Sequence, residues 1–220
     1  THELFIPLLT KMREICKFWL FFAISAIQLI TAFGAYQEGG IVMETPSYIV
    51  NKTEEKYEIR TYPESTWICK EHIHPNCTLR AQIDVYMALY EYFKGKNTEG
   101  LVLSATTPFT MKTTLNYDEK GNSRYLMCKY LPKANQEIPP KPLEEGLFVE
   151  YLQEITVAAR RFKAYLLKET DWEPEYRILV NDLNAAGEGQ MDIENYYGVT
   201  YDPPFQVDGR HSEIWIVQSE

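Results

Sequence analysis

Residues 79–94 (LRAQIDVYMALYEYFK) carry the clearest helical period in the chain, and strand-like runs flank them on both sides. At 100° per residue Arg80, Asp84, Glu91 and Lys94 fall on one narrow stripe, and Leu79, Val85, Tyr86, Leu89, Tyr90, Tyr92 and Phe93 cover the other side. Thr78 is placed to cap the start of this helix, and Gly95 to end it. Met87 breaks the pattern by sitting inside the polar stripe. It is either a tolerated exposed methionine or the sign of a face that meets an apolar ligand.

Before the helix, Ser47–Val50 and Lys56–Tyr62 read as strands around the polar turn Asn51–Glu55, and Thr66–His72 reads as a third. After it, Leu101–Thr114 and Arg124–Tyr130 read as strands joined by a turn at 118–122, followed by an extended Pro-rich connection at 132–142. Phe148–Phe162 holds two strand-like pieces. Trp172–Ala186 is a second helix with Pro174 in its first turn, stopped by Gly187 and Gly189. Gly198–Tyr201 and Glu213–Val217 close the chain as strands. Consecutive antiparallel strands with two helices make a single α+β domain over 35–220. The repeated order of strands, helix and strands, with Pro108-Phe109 and Pro204-Phe205 recurring, hints at internal duplication.

The N-terminal stretch has a different composition. Phe18 to Phe33 is almost uncharged, follows Lys11, Arg13 and Lys17, and leads into Ala32-Phe33-Gly34, the parts of a secretory signal peptide. Met12 is the better start for such a peptide, so 12–34 is the expected signal and 1–11 is extraneous to it. Cleavage leaves a chain from Ala35 that is secreted and not stably attached to a membrane. The sequons at Asn51 and Asn76 agree with export and are expected glycosylation sites in polar connections. Of the cysteines past the leader, Cys69, Cys77 and Cys128, two can form one disulfide, and the pairing is open.

Lys and Arg number 22 against 31 Asp and Glu, a formal charge of −9 with no basic cluster, which excludes a nucleic-acid binder. No nucleophile elbow, zincin helix, phosphate-binding loop or dinucleotide fingerprint occurs, so a non-enzymatic protein is expected. His72 and His74 at i, i+2 of a strand point the same way and, with Cys77, are weak candidates for a metal or redox site. The same two His are secondary candidates for iron ligation. Sixteen Tyr, ten Phe and four Trp are a rich aromatic supply, and Ile83, Tyr86, Met87 and Tyr90 at the margin of the polar stripe suit the floor of a groove for a flat apolar ligand.

Met43-Glu44-Thr45-Pro46-Ser47-Tyr48, then Tyr57-Glu58-Ile59-Arg60 and Trp67, resemble the opening of the SOUL/haem-binding protein family. Gly95-Lys96-Asn97, Thr106-Thr107-Pro108, Pro139-Pro140-Lys141-Pro142-Leu143, Tyr196-Tyr197, Tyr201-Asp202-Pro203-Pro204-Phe205 and Glu213-Ile214-Trp215 continue the likeness in order over about 43–218. The resemblance implies a distorted antiparallel β-barrel of two β-α-β-β-like repeats flanked by two helices. It also implies a monomer that binds haem or another porphyrin on an apolar surface beside the first helix, with Ile83, Tyr86, Met87 and Tyr90 on one side and Phe205 and Gln206 opposite. Arg80, Lys94 and Arg210, with Lys96 farther off, are the candidates for pairing with propionates. Some members carry a His directly after Glu-Ile-Arg as a proposed iron ligand; Thr61 stands there in this chain. A fold retained without its ligand, serving interactions with other proteins, is the alternative use of the same domain.

Overall fold

The computed structural model describes residues 35–38, 41–115, 117–163, 169–202 and 210–219, all within one compact unit spanning 35–220. The expected leader, and Phe205 and Gln206, lie outside the described residues. A small hairpin, β1 (Ala35–Glu38) and β2 (Ile41–Glu44), comes first. β3 (Ile49–Thr53), β4 (Glu58–Tyr62), β5 (Ser65–His74), α1 (Leu79–Phe93), β6 (Phe109–Thr114) and β7 (Ser123–Tyr130) follow. β8 (Leu147–Leu152), β9 (Ile155–Phe162), α2 (Glu169–Ala186), β10 (Asn195–Thr200) and β11 (Ser212–Val217) complete the chain. β3 to β11 form one antiparallel sheet in the order β3-β4-β9-β11-β10-β6-β7-β5-β8, curled into a half-barrel with two helices. This is the α+β distorted barrel.

The duplication is written in that order. Exchanging β4 with β8, β5 with β9, β6 with β10 and β7 with β11 returns the same sequence of strands from β4 to β8 read backwards. The units β5-α1-β6-β7 and β9-α2-β10-β11 are thus topological copies meeting at the β6–β10 pair. The Pro-Phe pairs are not equivalent points in these copies, because Pro108 precedes β6 whereas Pro204 follows β10.

Thr78 caps α1 as expected, its Oγ1 accepting from the Ala81 amide at 3.2 Å. Gly95 at φ +106° lets the Lys96 amide close on the Glu91 carbonyl at 3.0 Å. The expected strand over 101–114 begins only at Phe109. Asn97 replaces a ladder there: its Oδ1 accepts from the Leu101 amide at 2.9 Å and its Nδ2 donates to the Leu101 carbonyl at 2.8 Å. Asn51 lies within β3 rather than at a hairpin tip, beside a register shift between Val50 and Lys52. Its Nδ2 donates to Thr61 Oγ1 at 2.7 Å.

Both helices lie on one face of the sheet. Ile68, Met111, Tyr125, Met127, Ile214 and Ile216 from the strands enclose Leu89 and Tyr92 of α1 with Trp172, Leu179 and Leu183 of α2. The opposite face carries one cluster of Tyr62, Val157, Ala159, Val199 and Trp215 and a second of Trp67, Cys69, Cys128 and Tyr130. Cys69 and Cys128, register partners in β5 and β7, form the disulfide. Cys77 is buried and outside the disulfide, its sulfur 3.7 Å from that of Met111.

α2 reaches the sheet where β10 has no side chain. A Cβ on Gly198 would stand 2.4 Å from the Trp172 ring, well inside contact distance. Gly198→Ala is expected to lower stability by about 1–3 kcal/mol through overpacking, measured by urea unfolding, whereas Gly189→Ala, with nothing within 4 Å, serves as the unchanged control.

Candidate functional site

α1 docks through Gln82, Val85, Ala88, Leu89, Tyr92 and Phe93, all buried. Tyr92 keys its rotation: the ring is fully enclosed and its hydroxyl donates to the Pro140 carbonyl at 2.7 Å. Helical spacing then carries Leu79, Ile83, Met87 and Tyr90 outward. Ile83, Met87 and Tyr90 remain 42%, 45% and 40% exposed, an apolar strip that continues Leu79 along the outer side of the helix. Tyr86 sits half-buried at its margin, its ring edge-on to Phe109 of β6 at 6.0 Å. The four groove residues expected from sequence therefore share one open surface.

The basic candidates differ in position. Arg80 stands in solvent and faces Asp84 at 3.9 Å. Lys94 places its Nζ over the Tyr90 ring at 5.3 Å, on the strip itself, while Lys96 pairs with Glu91 at 3.2 Å. Arg210 is buried and donates to Thr200 Oγ1 at 3.0 Å. A further cation escaped the sequence reading. Lys129 of β7 lies on the helix-covered face, donating from Nζ to the Thr106 carbonyl at 2.6 Å and standing 5.2 Å from the Phe93 ring. Strand alternation was the available signal, since Tyr125, Met127 and Lys129 share a parity and the first two are apolar core.

The helix-free face holds a different constellation, also missed. Glu213 is almost wholly buried. It receives Arg60 Nη1 at 3.0 Å, Tyr201 Oη at 3.1 Å and Trp215 Nε1 at 2.7 Å on one oxygen, and His211 Nε2 at 2.9 Å on the other. Glu58 takes Arg60 Nε at 2.8 Å, and the Tyr48 ring covers the guanidinium at 4.6 Å. The segments Glu58-Ile59-Arg60, Tyr201-Asp202 and Glu213-Ile214-Trp215 thus converge on one buried ion centre. Burial opposes ionisation of Glu213, but hydrogen bonding from His211 and the charge of Arg60 outweigh it and hold the carboxyl down to about 2.

Beside this centre Tyr62, Trp67, Thr110, Tyr197 and Trp215 line a small cavity of about 20 Å³. That volume holds a water molecule and excludes a macrocycle. The α1 strip, being open, imposes no such limit.

The His72 and His74 rings stack at 5.7 Å on the last residues of β5. Burial, and then His74, lowers the tendency of His72 to protonate. Among the described residues no group of three His, Cys, Asp or Glu could hold a metal ion, and the Cys77 thiol points to Met111 in the core rather than joining them. Thr61 Oγ1 shares a 2.8 Å hydrogen bond with Thr156 Oγ1 of β9. Among the described residues no helix is long and apolar enough to cross a membrane.

A family model described as SOUL heme-binding protein matches residues 43–217. "Heme-binding protein 2" of Mus musculus is 28% identical over 169 residues, 74% of this chain and 78% of the relative. The human protein of that name is 27% identical over 162 residues, again 74% and 78%. Among solved structures, the EcmrR C-terminal domain superposes with a TM-score of 0.51 at 16% identity, covering 75% of this chain and 98% of that one, a likeness of fold alone.

The buried centre gives a defined acid response. A carboxyl lowered in the folded state adds stability above its unfolded pKa, and that stability is lost as pH falls from about 4.5 towards about 2. Glu213→Gln is expected to cost about 3–5 kcal/mol at neutral pH, because Arg60 is left buried without its main partner. It should also flatten the fall in stability below pH 5, both effects being read from urea unfolding at stepped pH.

Proposed function

The chain belongs to the SOUL heme-binding protein family, and from that membership we propose that it is a non-enzymatic protein that binds haem or a related tetrapyrrole on the outer strip of α1. The observation that carries this reading is the exposure of Ile83, Met87 and Tyr90 in a row, with Leu79 before them and Tyr86 beside them, on a helix whose Val85, Leu89, Tyr92 and Phe93 are enclosed. A planar, largely apolar ring laid there removes that surface from water, and each large side chain covered contributes about 1.5–3 kcal/mol at most. The residues present fit such a group: apolar side chains to cover a ring, and the Lys94 cation at the C-terminal end of the strip. The relatives' names state haem binding of those proteins, in keeping with this reading.

We also propose that the protein is exported from the cell. The signal-like segment at 12–34, the disulfide Cys69–Cys128 and the exposure of both Asn51 and Asn76 support export and glycosylation. Treating the protein collected from culture medium with a peptide N-glycosidase is expected to increase its electrophoretic mobility in two steps. Recovery of the chain only from inside the cell overturns the proposal of export.

Titration with haemin is expected to give a saturable Soret shift and quenching of Tyr and Trp fluorescence. Tyr86→Ala combined with Met87→Ala should weaken binding at least tenfold, about 1.4 kcal/mol. Absence of saturable binding by the unaltered protein overturns the reading in favour of an interaction protein that has lost its ligand.

A further inference from the structure

We propose that Lys129 anchors a carboxylate of the ligand at the C-terminal end of the α1 strip, which restricts the ligand to acidic tetrapyrroles; this rests on the tetrapyrrole reading above. Lys129 stands directly across from Phe109 in the β6–β7 register. The Phe109 ring in turn meets Tyr86 at 6.0 Å. The ammonium, the Phe93 ring at 5.2 Å and the Tyr86–Phe109 pair therefore gather at one place, where α1 meets β6 and β7.

Among the described residues the amine donates to a carbonyl, that of Thr106, and no carboxylate pairs with it. A half-buried cation with aromatic neighbours and no counter-ion is costly unless something else neutralises it. Burial accordingly pushes its pKa down to about 8, and an arriving carboxylate would stabilise the charged form and gain a charge-assisted hydrogen bond.

Two further features lie along the same edge. Gln82, one turn before Tyr86 on α1, is 7% exposed, and its Nε2 has no hydrogen-bond partner among the described residues. Lys94 holds its ammonium over Tyr90 on the outer side of the same helix end. The two lysines bracket the last turn of α1, one against Phe93 and one over Tyr90, whereas the cation at the other end, Arg80, already faces Asp84. In a chain of net charge −9, such a local pair of cations supplies an attraction for an anion that the overall charge does not. The acidic edge of the ligand belongs at the C-terminal end of α1.

Haemin dimethyl ester keeps the ring of haemin but replaces its two ionised propionates with neutral methyl esters, so titrating both tests charge recognition apart from ring burial. The unaltered protein is expected to bind haemin about tenfold more tightly than the ester. Lys129→Met, which keeps the length and apolar stem, should abolish that preference by weakening haemin about tenfold while leaving the ester unchanged. Equal affinity of the unaltered protein for both ligands overturns the proposal, and that measurement needs no variant to fold. Equal loss of both ligands in Lys129→Met, or no loss, also overturns it, since the residue would then act through packing or not at all. Failure of the unaltered protein to bind either ligand removes the tetrapyrrole reading itself and this proposal with it.

Discussion

The rotation of α1 about its own axis is the constraint from which the candidate site follows. Apolar side chains cover most of the circumference of this helix, and hydrophobic burial alone, being non-directional, leaves its rotation poorly specified. A directional bond resolves it. Tyr92 is fully enclosed and its hydroxyl reaches the Pro140 carbonyl, and a buried hydroxyl turned away from that acceptor would lose about 1–3 kcal/mol. With Tyr92 and Leu89 against the sheet, 3.6-residue geometry presents Ile83, Met87 and Tyr90 to solvent. The exposed strip is a consequence of a bond on the other side of the helix.

The topological copies have diverged in how they use their helices. α2 lays Trp172 on the bare backbone of Gly198 and stacks Tyr176 on Tyr196 at 4.6 Å, and Lys56 and Arg160 reach its Asp182 at 2.8 and 3.7 Å. Contacts of that kind tie α2 closely to the sheet and its edge. α1 has the Arg80–Asp84 contact in solvent and its apolar strip instead. Duplication supplied two supports for a helix, and one of them carries an open apolar surface.

The helix-free face does structural work that no single segment announces. Glu213 satisfies Arg60, Tyr201, Trp215 and His211 together, and an ionised carboxylate has enough lone pairs for all four donors. Several residues that give the chain its family likeness are thus parts of one ion centre, distant from α1 in the strand order. In this fold they hold β4 to the late strands.

Much of this was legible in the amino-acid sequence. Period, cap and stop signals defined α1 within a residue of its bounds, because Thr78, the helical spacing and Gly95 act locally. They also singled out Ile83, Tyr86, Met87 and Tyr90, since a methionine inside a polar stripe is visible on a helical wheel. The strand over 101–114 was overread because Asn97 satisfies backbone groups that a strand would otherwise pair, and composition does not show where a side-chain amide will bond. What tertiary structure alone decided is whatever depends on the register of distant segments. Arg60 meets Glu213 across 153 residues, Cys69 rather than Cys77 lies opposite Cys128, and Lys129 comes to stand across from Phe109. Sequence determines which side of a strand or helix a residue occupies, because that is set by a fixed local period; only the packed sheet determines which residue of another strand it faces.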